Sequence, residues 1–313
     1  MNKDIKTAIV TGSAGFIGGH LTEDLLQKGY KVIGIDNLKS GLQSTVDLHI
    51  SYDNFIPKYV DIRSNDIDKI FRDFNPDFVF HLAAIPGVAP SVKDPFISNS
   101  VNVEGTVNIL DMAQKYNVKR VIFSSSSSVY GGAEELPTKE SSSLEPKSPY
   151  ALQKKIGEEY CKLFSNIYNL DTVCLRYFNV FGPRQRADSA YAAVISAFCN
   201  NVKNDESPTI YGDGKQSRDF CFVKNVVSAN ILAATNEGKF SGEVFNIGCG
   251  GRVAVNSICE ALKSKPPIYE KERPGDVKHS QADISKACDI LGYNPLYSYE
   301  DGLRKTLDWH LNS

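Results

Sequence analysis

The chain has 313 residues, of which 42% are hydrophobic and 23% charged, the balance of a folded globule rather than a disordered chain. Lys plus Arg number 35 and Asp plus Glu 37, a formal net charge of −2, which excludes bulk positive charge as a means of holding nucleic acid. No run reaches the roughly 18–20 apolar residues that span a bilayer, and the opening MNKDIKTAIVTGSAG lacks the apolar core of a secretory signal. A cytoplasmic protein with no membrane and no nucleic-acid partner is expected. Its 7 cysteines are odd in number, far apart and without a CxxC, so they read as reduced, mostly core thiols rather than disulfides or a metal site.

In chain order, TAIVT (Thr7 to Thr11) reads as a buried strand. A helix follows over Gly15 to Lys28, with Ile17, Leu21 and Leu25 on one face. KVIGID (Lys31 to Asp36), FVFHL (Phe78 to Leu82) and VIFSS (Val121 to Ser125) are further strands, and a helix over Asn102 to Tyr116 separates the last two. A helix from Ala151 to Tyr168 leads to the strand TVCLRY (Thr172 to Tyr177), and Val244 to Ile247 is a candidate return strand. Strands alternating with helices predict an α/β fold, a doubly wound parallel Rossmann sheet, with a smaller mixed α/β substrate lobe after it. The expected division gives residues 1–178 and about 222–249 to the dinucleotide domain, and about 179–221 and 250–313 to the smaller lobe.

Three patterns carry chemistry. Gly12-Ser-Ala-Gly15-Phe16-Ile17-Gly18 joins the first strand to the first helix. Glycines there let the backbone turn tightly, and the helix N-terminus offers free N–H groups to a pyrophosphate. Asp36, ending the second strand, suits the two ribose hydroxyls and repels a 2′-phosphate, which favours NAD over NADP; Lys39 close by weakens that preference, and a helix-capping or turn Asp is the lesser alternative. Asp61-Ile62, after Lys58-Tyr59-Val60, fits a strand end within reach of an adenine amino group. Tyr150 and Lys154 lie four apart on a helix and share a face. A neighbouring ammonium favours phenolate, so Lys154 is expected to lower the Tyr150 pKa and make it a general base. The run Ser124 to Ser128 ends a strand at the ligand crevice of an open parallel sheet, though five serines do not say which one is used.

With these residues the chain resembles the extended short-chain dehydrogenase/reductase family, the NAD-dependent nucleotide-sugar epimerases and dehydratases. The likeness covers essentially the whole chain through TGSAGFIGGH, GIDN, HLAA, SSSSVYGG, YALQK, LRYFNVFGPRQ, GDGKQSRDF and RPGDVKHSQAD. It implies Ser126, Tyr150 and Lys154 as catalytic residues. It implies that NAD is held by the glycine turn, by Asp36, Asn37, Lys39, Ser40, Gly41, Asp61 and Ile62, by Leu82, Ala83 and Ala84, and by Tyr150, Lys154 and Phe178. The UDP-sugar would meet Ser126, Tyr150, Asn179, Val194, Tyr211, Arg218, Arg273, Asp276 and Ser280, the arginines suiting phosphate oxygens. A homodimer paired through the helices Asn102 to Tyr116 and Ala151 to Tyr168 is the family's habit, although the same apolar faces suit burial on the sheet.

Departures from the family pattern narrow the reaction. The dehydratases carry Asp-Glu where this chain has Ser127 and Ser128, so elimination lacks its proton shuttle. What remains is oxidation and re-reduction at one carbon, a 4-epimerisation through a transient 4-keto sugar. Ser280 stands where epimerases of narrow range carry a tyrosine. The smaller side chain favours UDP-GlcNAc/UDP-GalNAc, with UDP-Glc/UDP-Gal activity as well. Alternatives are a UDP-glucose 4-epimerase only, a UDP-glucuronate 4-epimerase, for which Lys93 is the nearest cation, or a non-catalytic NAD-binding protein.

Overall fold

The computed structural model describes residues 5–132, 135–186, 194–272 and 277–313. Seven parallel strands form one sheet: β1 (Thr7–Thr11), β2 (Lys31–Ile35), β3 (Phe55–Lys58), β4 (Phe78–His81), β5 (Arg120–Ser126), β6 (Thr172–Tyr177) and β7 (Ser241–Ile247). Their order is β7-β6-β5-β4-β1-β2-β3, so the chain winds outward from β1 and then returns to its other side at β4. The reversal opens a crevice between the carboxyl ends of β1 and β4, where such sheets bind ligands.

Side-chain alternation splits the core. Ala8, Val10, Val32, Phe80, Ile122 and Leu175 face one layer, packed with Leu21 and Leu25 of α1 (Phe16–Gln27) and with Val226 and Ala229 of the helix Val223–Thr235. Ile9, Ile33, Ile35, Val79, Val121 and Phe123 face the other, under Ile67 and Phe71, Ile109 and Leu110, and Cys161 and Phe164. Strands buried on both faces explain why their sequences read as continuous apolar runs.

A third cluster holds the C-terminal elements. Phe181, Phe198, Phe220, Phe222, Ile258 and Leu303 pack together, with short strand pairs Val180–Phe181/Cys221–Phe222, Ser217–Arg218/Val253–Ala254 and Thr209–Tyr211/Ile268–Glu270 around them. Among the described residues, no helix is long and apolar enough to cross a membrane.

Several boundaries differ from expectation. β3 covers Phe55–Lys58, so Tyr59 and Val60 lie past its end. The helix expected from Asn102 begins as a π-helix, Ser100–Glu104, and becomes α-helical over Gly105–Lys115. The helix expected from Ala151 begins at Pro149. Proline suits that first position because its missing N–H is needed by no helical partner, and Ser148 caps the turn by accepting from Ala151 N at 3.2 Å.

Candidate active site

The glycine turn sits at the head of the crevice. Gly12 has φ +73, and a Cβ there would lie 2.9 Å from Ala83 N; a Cβ on Gly18 would lie 2.0 Å from the Gly12 carbonyl oxygen. Both positions therefore require glycine. α1 starts from Gly15, and no side chain caps its first N–H groups, leaving that positive end open to an anion. Phe16, Ile17 and Gly18 form its first turn.

Asp36 follows β2 directly. Its carboxylate accepts from Ala14 N at 3.0 Å and from Leu38 N at 2.8 Å, which fixes it beside the glycine turn. Burial raises its pKa, against those backbone donors. Gly41 packs against the same carboxylate, while Lys39 and Ser40 are exposed beyond it. Asp61 is held by Arg63 (2.8 and 2.9 Å) and by Asn37 Nδ2 at 2.9 Å; the Arg63 guanidinium holds its carboxyl well below the usual carboxylate range. Ile62 beside it is buried.

Leu82, Ala83 and Ala84 leave β4 on the opposite wall. Leu82 N and Ala83 N each donate to Thr11 Oγ1 at 3.1 Å. Thr11 Oγ1 also meets His81 Nδ1 at 2.8 Å, and His81 Nε2 meets Thr106 Oγ1 at 3.0 Å. Since the Thr106 hydroxyl donates to Asn102 O at 2.7 Å, His81 must donate from Nε2 and accept at Nδ1. Burial, then the Lys154 charge, lowers its pKa to about 3, so the ring is neutral.

The catalytic candidates converge where β5 ends. Ser126 closes that strand, and its Oγ accepts from Ser128 N at 3.2 Å. Tyr150 lies in the first turn of the helix Pro149–Tyr168, and the Ser126 hydroxyl acts on its phenol to favour the ionised form. Its backbone N donates to Ser91 Oγ at 3.1 Å. Lys154 Nζ donates to Ser124 O at 2.6 Å and lies 5.0 Å from the Phe123 ring centroid and 5.8 Å from that of Tyr150.

The expected lowering of the Tyr150 pKa does not occur in this structure. Burial pushes the phenol up to about 12, only partly offset by the Ser126 hydroxyl, and Lys154 Nζ donates to the Ser124 carbonyl. The same dryness lowers Lys154 to about 8, against the Glu158 carboxylate and Cys161.

On the far side, Asn179 (φ +29) donates from Nδ2 to Asp219 O at 3.0 Å and to Ser280 Oγ at 3.1 Å. Phe178 is buried against Val129, Tyr130 and Ala282. Arg218 lies on the strand Ser217–Arg218, with Nη1 donating to Ser217 O and Lys278 O. Tyr211 ends the strand Thr209–Tyr211, and Val194 opens the helix Val194–Lys203. Arg273 and Asp276 lie outside the described residues.

Sequence reasoning missed the buried polar frame around these groups. The Asn102 carboxamide pairs with both backbone groups of Ile85 (2.7 and 3.0 Å) and with Gln153 Oε1 at 2.8 Å, tying the wall after β4 to the tyrosine-bearing helix. Gln153 donates in turn to Ser98 Oγ at 3.0 Å. The π-turn at Ser100–Glu104 contains Asn102, and such turns concentrate at functional sites. The one available signal was the position of Gln153, directly before Lys154.

A doubly wound parallel sheet with a glycine turn at its switch point defines a Rossmann-type α/β protein. A family model described as NAD dependent epimerase/dehydratase matches residues 8–248. A solved UDP-N-acetylglucosamine 4-epimerase from Methanobrevibacter ruminantium M1, in complex with UDP-N-acetylmuramic acid, is 42% identical with a TM-score of 0.93, covering 99% of each chain. A UDP-glucose 4-epimerase from Thermotoga maritima, solved with UDP-glucose, is 38% identical with a TM-score of 0.91, covering 97% of this chain and 98% of that one. A UDP-glucuronate 4-epimerase from Thermodesulfobacterium geofontis is 34% identical over 315 residues, 96% of this chain and 95% of the relative. The chain belongs to the NAD-dependent epimerase/dehydratase family, and NAD is its cofactor. The crevice fits that cofactor: the turn is bare of side chains at Gly12 and Gly18, the end of α1 is open, and Asp36 is aimed beside both.

Proposed function

We propose that the chain is an isomerase that inverts C4 of a UDP-hexose, interconverting UDP-GlcNAc with UDP-GalNAc and UDP-Glc with UDP-Gal. The observation that carries the reaction type is the convergence of Ser126, at the end of β5, with Tyr150 and Lys154, one turn apart on the helix Pro149–Tyr168. The phenol and serine hydroxyls form a short path for the proton of the sugar 4-hydroxyl: Tyr150 accepts it when C4 is oxidised and returns it when C4 is reduced. Bound NAD supplies the electron acceptor and donor for C4. Lys154 would hold the nicotinamide ribose, and turned from the Ser124 carbonyl toward the phenol its ammonium would favour phenolate. Ser127 and Ser128 put no acid beside C4–C5, so water is not expelled.

Asp36, Asp61 and the turn from Gly12 to Gly18 hold the dinucleotide, on the domain formed by residues 1–178 and about 222–249. Arg218, Arg273 and Asp276 hold the UDP portion on the smaller lobe. The acetamido preference rests on Ser280, a small residue whose hydroxyl is tied to Asn179. The buried Ser128 hydroxyl, without a hydrogen-bond partner among the described residues, adds an unmet polar atom two residues beyond Ser126. Two copies would pair through the helices matching Asn102 to Tyr116 and Ala151 to Tyr168, the second of which carries exposed Leu152, Leu163, Ile167 and Tyr168. The reaction runs in the cytoplasm, where free cysteines stay reduced. Incubation with UDP-GlcNAc, UDP-Glc and UDP-GlcA, followed by separation of epimers, tests the reading. Product from the first two supports it; product from UDP-GlcA alone transfers the assignment to the acidic sugar; none from any rejects it.

A further inference from the structure

A buried ion pair lies beneath the tyrosine–lysine pair and plays no part in the chemistry above. Glu158 follows Lys154 by one helical turn, as Lys154 follows Tyr150, so all three share a helix face. Its side chain is 6% exposed, and that of its partner Arg176 on β6 is 4% exposed. Arg176 grips both carboxylate oxygens, Nη2 to Oε2 at 2.7 Å and Nε to Oε1 at 2.8 Å. Ser125, one residue before Ser126, donates its hydroxyl to the same Oε1 at 2.5 Å. Arg176 donates onward to Tyr130 Oη at 2.7 Å, and Tyr130 donates to Asn246 Oδ1 at 2.7 Å.

Desolvating two charges this deeply costs about as much as their attraction returns, and apolar replacement is often neutral for stability. Lys154 gives the pair a purpose. That ammonium is itself buried, at 4% exposure, yet the groups in direct contact with it are neutral: the Ser124 carbonyl and the Phe123 and Tyr150 rings. The titratable and charged groups packed around it are Tyr150, Glu158 and Cys161 on its own helix, His81 on β4, and Arg176 and Tyr177 on β6. Of these, Glu158 is the one carboxylate. Its carboxylate opposes the burial that would strip the proton from Lys154. A lysine that loses its proton has no charge with which to favour phenolate when it turns toward Tyr150.

We propose that Glu158 is a positioning residue: it keeps Lys154 protonated at working pH and binds the Ser125–Ser126 strand end to the catalytic helix. This rests on the reading of Tyr150 and Lys154 as the base pair. Glu158→Gln removes the charge and keeps an acceptor for Ser125. The basic limb of its kcat–pH profile is expected about one pH unit lower, with kcat reduced more than KM is raised. The 13Cε resonance of Lys154, followed in protein without substrate and identified by its loss in Lys154→Arg, is expected to titrate lower by the same amount. Glu158→Asp should restore part of both shifts. Should Glu158→Gln fold poorly with Arg176 left unpaired, the double variant Glu158→Gln/Arg176→Met removes both charges, and a smaller shift in the same direction is expected, because losing Arg176 acts in the opposite sense. A variant that melts earlier but leaves the basic limb and the resonance in place overturns the proposal. Failure of the unchanged chain to epimerise any UDP-hexose rejects the epimerase reading instead, and the resonance then decides the role of Glu158 by itself.

Discussion

Tyr150 and Lys154 show how one dry pocket moves two groups in opposite directions. Burial lifts the phenol to about 12 and brings the ammonium down to about 8, because each loses the water that stabilises its charged form. Activity should therefore decline as pH rises through the lysine value. Tyr150→Phe removes the proton acceptor and keeps the ring. Turnover should fall by about 10²–10⁴, while nucleotide released on denaturation stays at the unchanged chain's level; full activity in that variant would displace Tyr150 as the base. Ser280→Tyr places an aromatic ring beside Asn179. It should depress kcat/KM for UDP-GlcNAc by roughly tenfold or more beyond any loss on UDP-Glc, and equal losses on the two would sink the role given to Ser280. The spacing of Tyr150 and Lys154 was legible because a helix turns residues four apart onto one face. His81, Asn102 and Arg176 were not, because a buried polar network joins residues far apart in the chain, as when His81 bridges Thr11 to Thr106.

At the scale of elements, the turn between β1 and α1 is tightly constrained. Gly18→Ala would place a methyl 2.0 Å from the Gly12 carbonyl oxygen, and neither backbone segment can yield without reopening the turn. We expect a loss of about 1–3 kcal/mol or more, read as an earlier thermal transition together with little nucleotide recovered from the purified protein. A variant with wild-type melting and full nucleotide would contradict the close packing described here. The buried central strands were legible as apolar runs, and β1 and β6 fall where their sequences place them. β3 escaped because it is four residues long, carries Pro57 and lies at the sheet edge, where pattern is weakest. The π-turn at Ser100–Glu104 escaped because its Asn102 is held by a tertiary contact, its side chain bonded to both backbone groups of Ile85.

Taken as a whole molecule, the near-zero net charge conceals buried groups that set how stability responds to pH. Burial lowers His20 and His81 to about 3 and His49 to about 4, against about 6.5 for an unfolded histidine. The unfolded chain therefore binds more protons than the fold as pH drops below about 6.5, and stability falls with it. Asp219, raised to about 6 by burial, acts in the opposite sense, one group against three. The thermal midpoint should decrease between pH 7 and pH 5; a constant or rising midpoint would show that these rings are not held neutral. The change of texture after Tyr177 was legible in the sequence, but the pairing of Asn179 with Ser280 was not, since they lie 101 residues apart. The central claim is that one carbon is oxidised and reduced again within a single closed site. Its most direct test is turnover of UDP-GlcNAc carrying deuterium at C4, with both epimers collected and analysed by mass and NMR. The account predicts UDP-GalNAc with deuterium retained at C4 and no accumulation of reduced cofactor; absence of the epimer, or loss of the label to solvent, would contradict it.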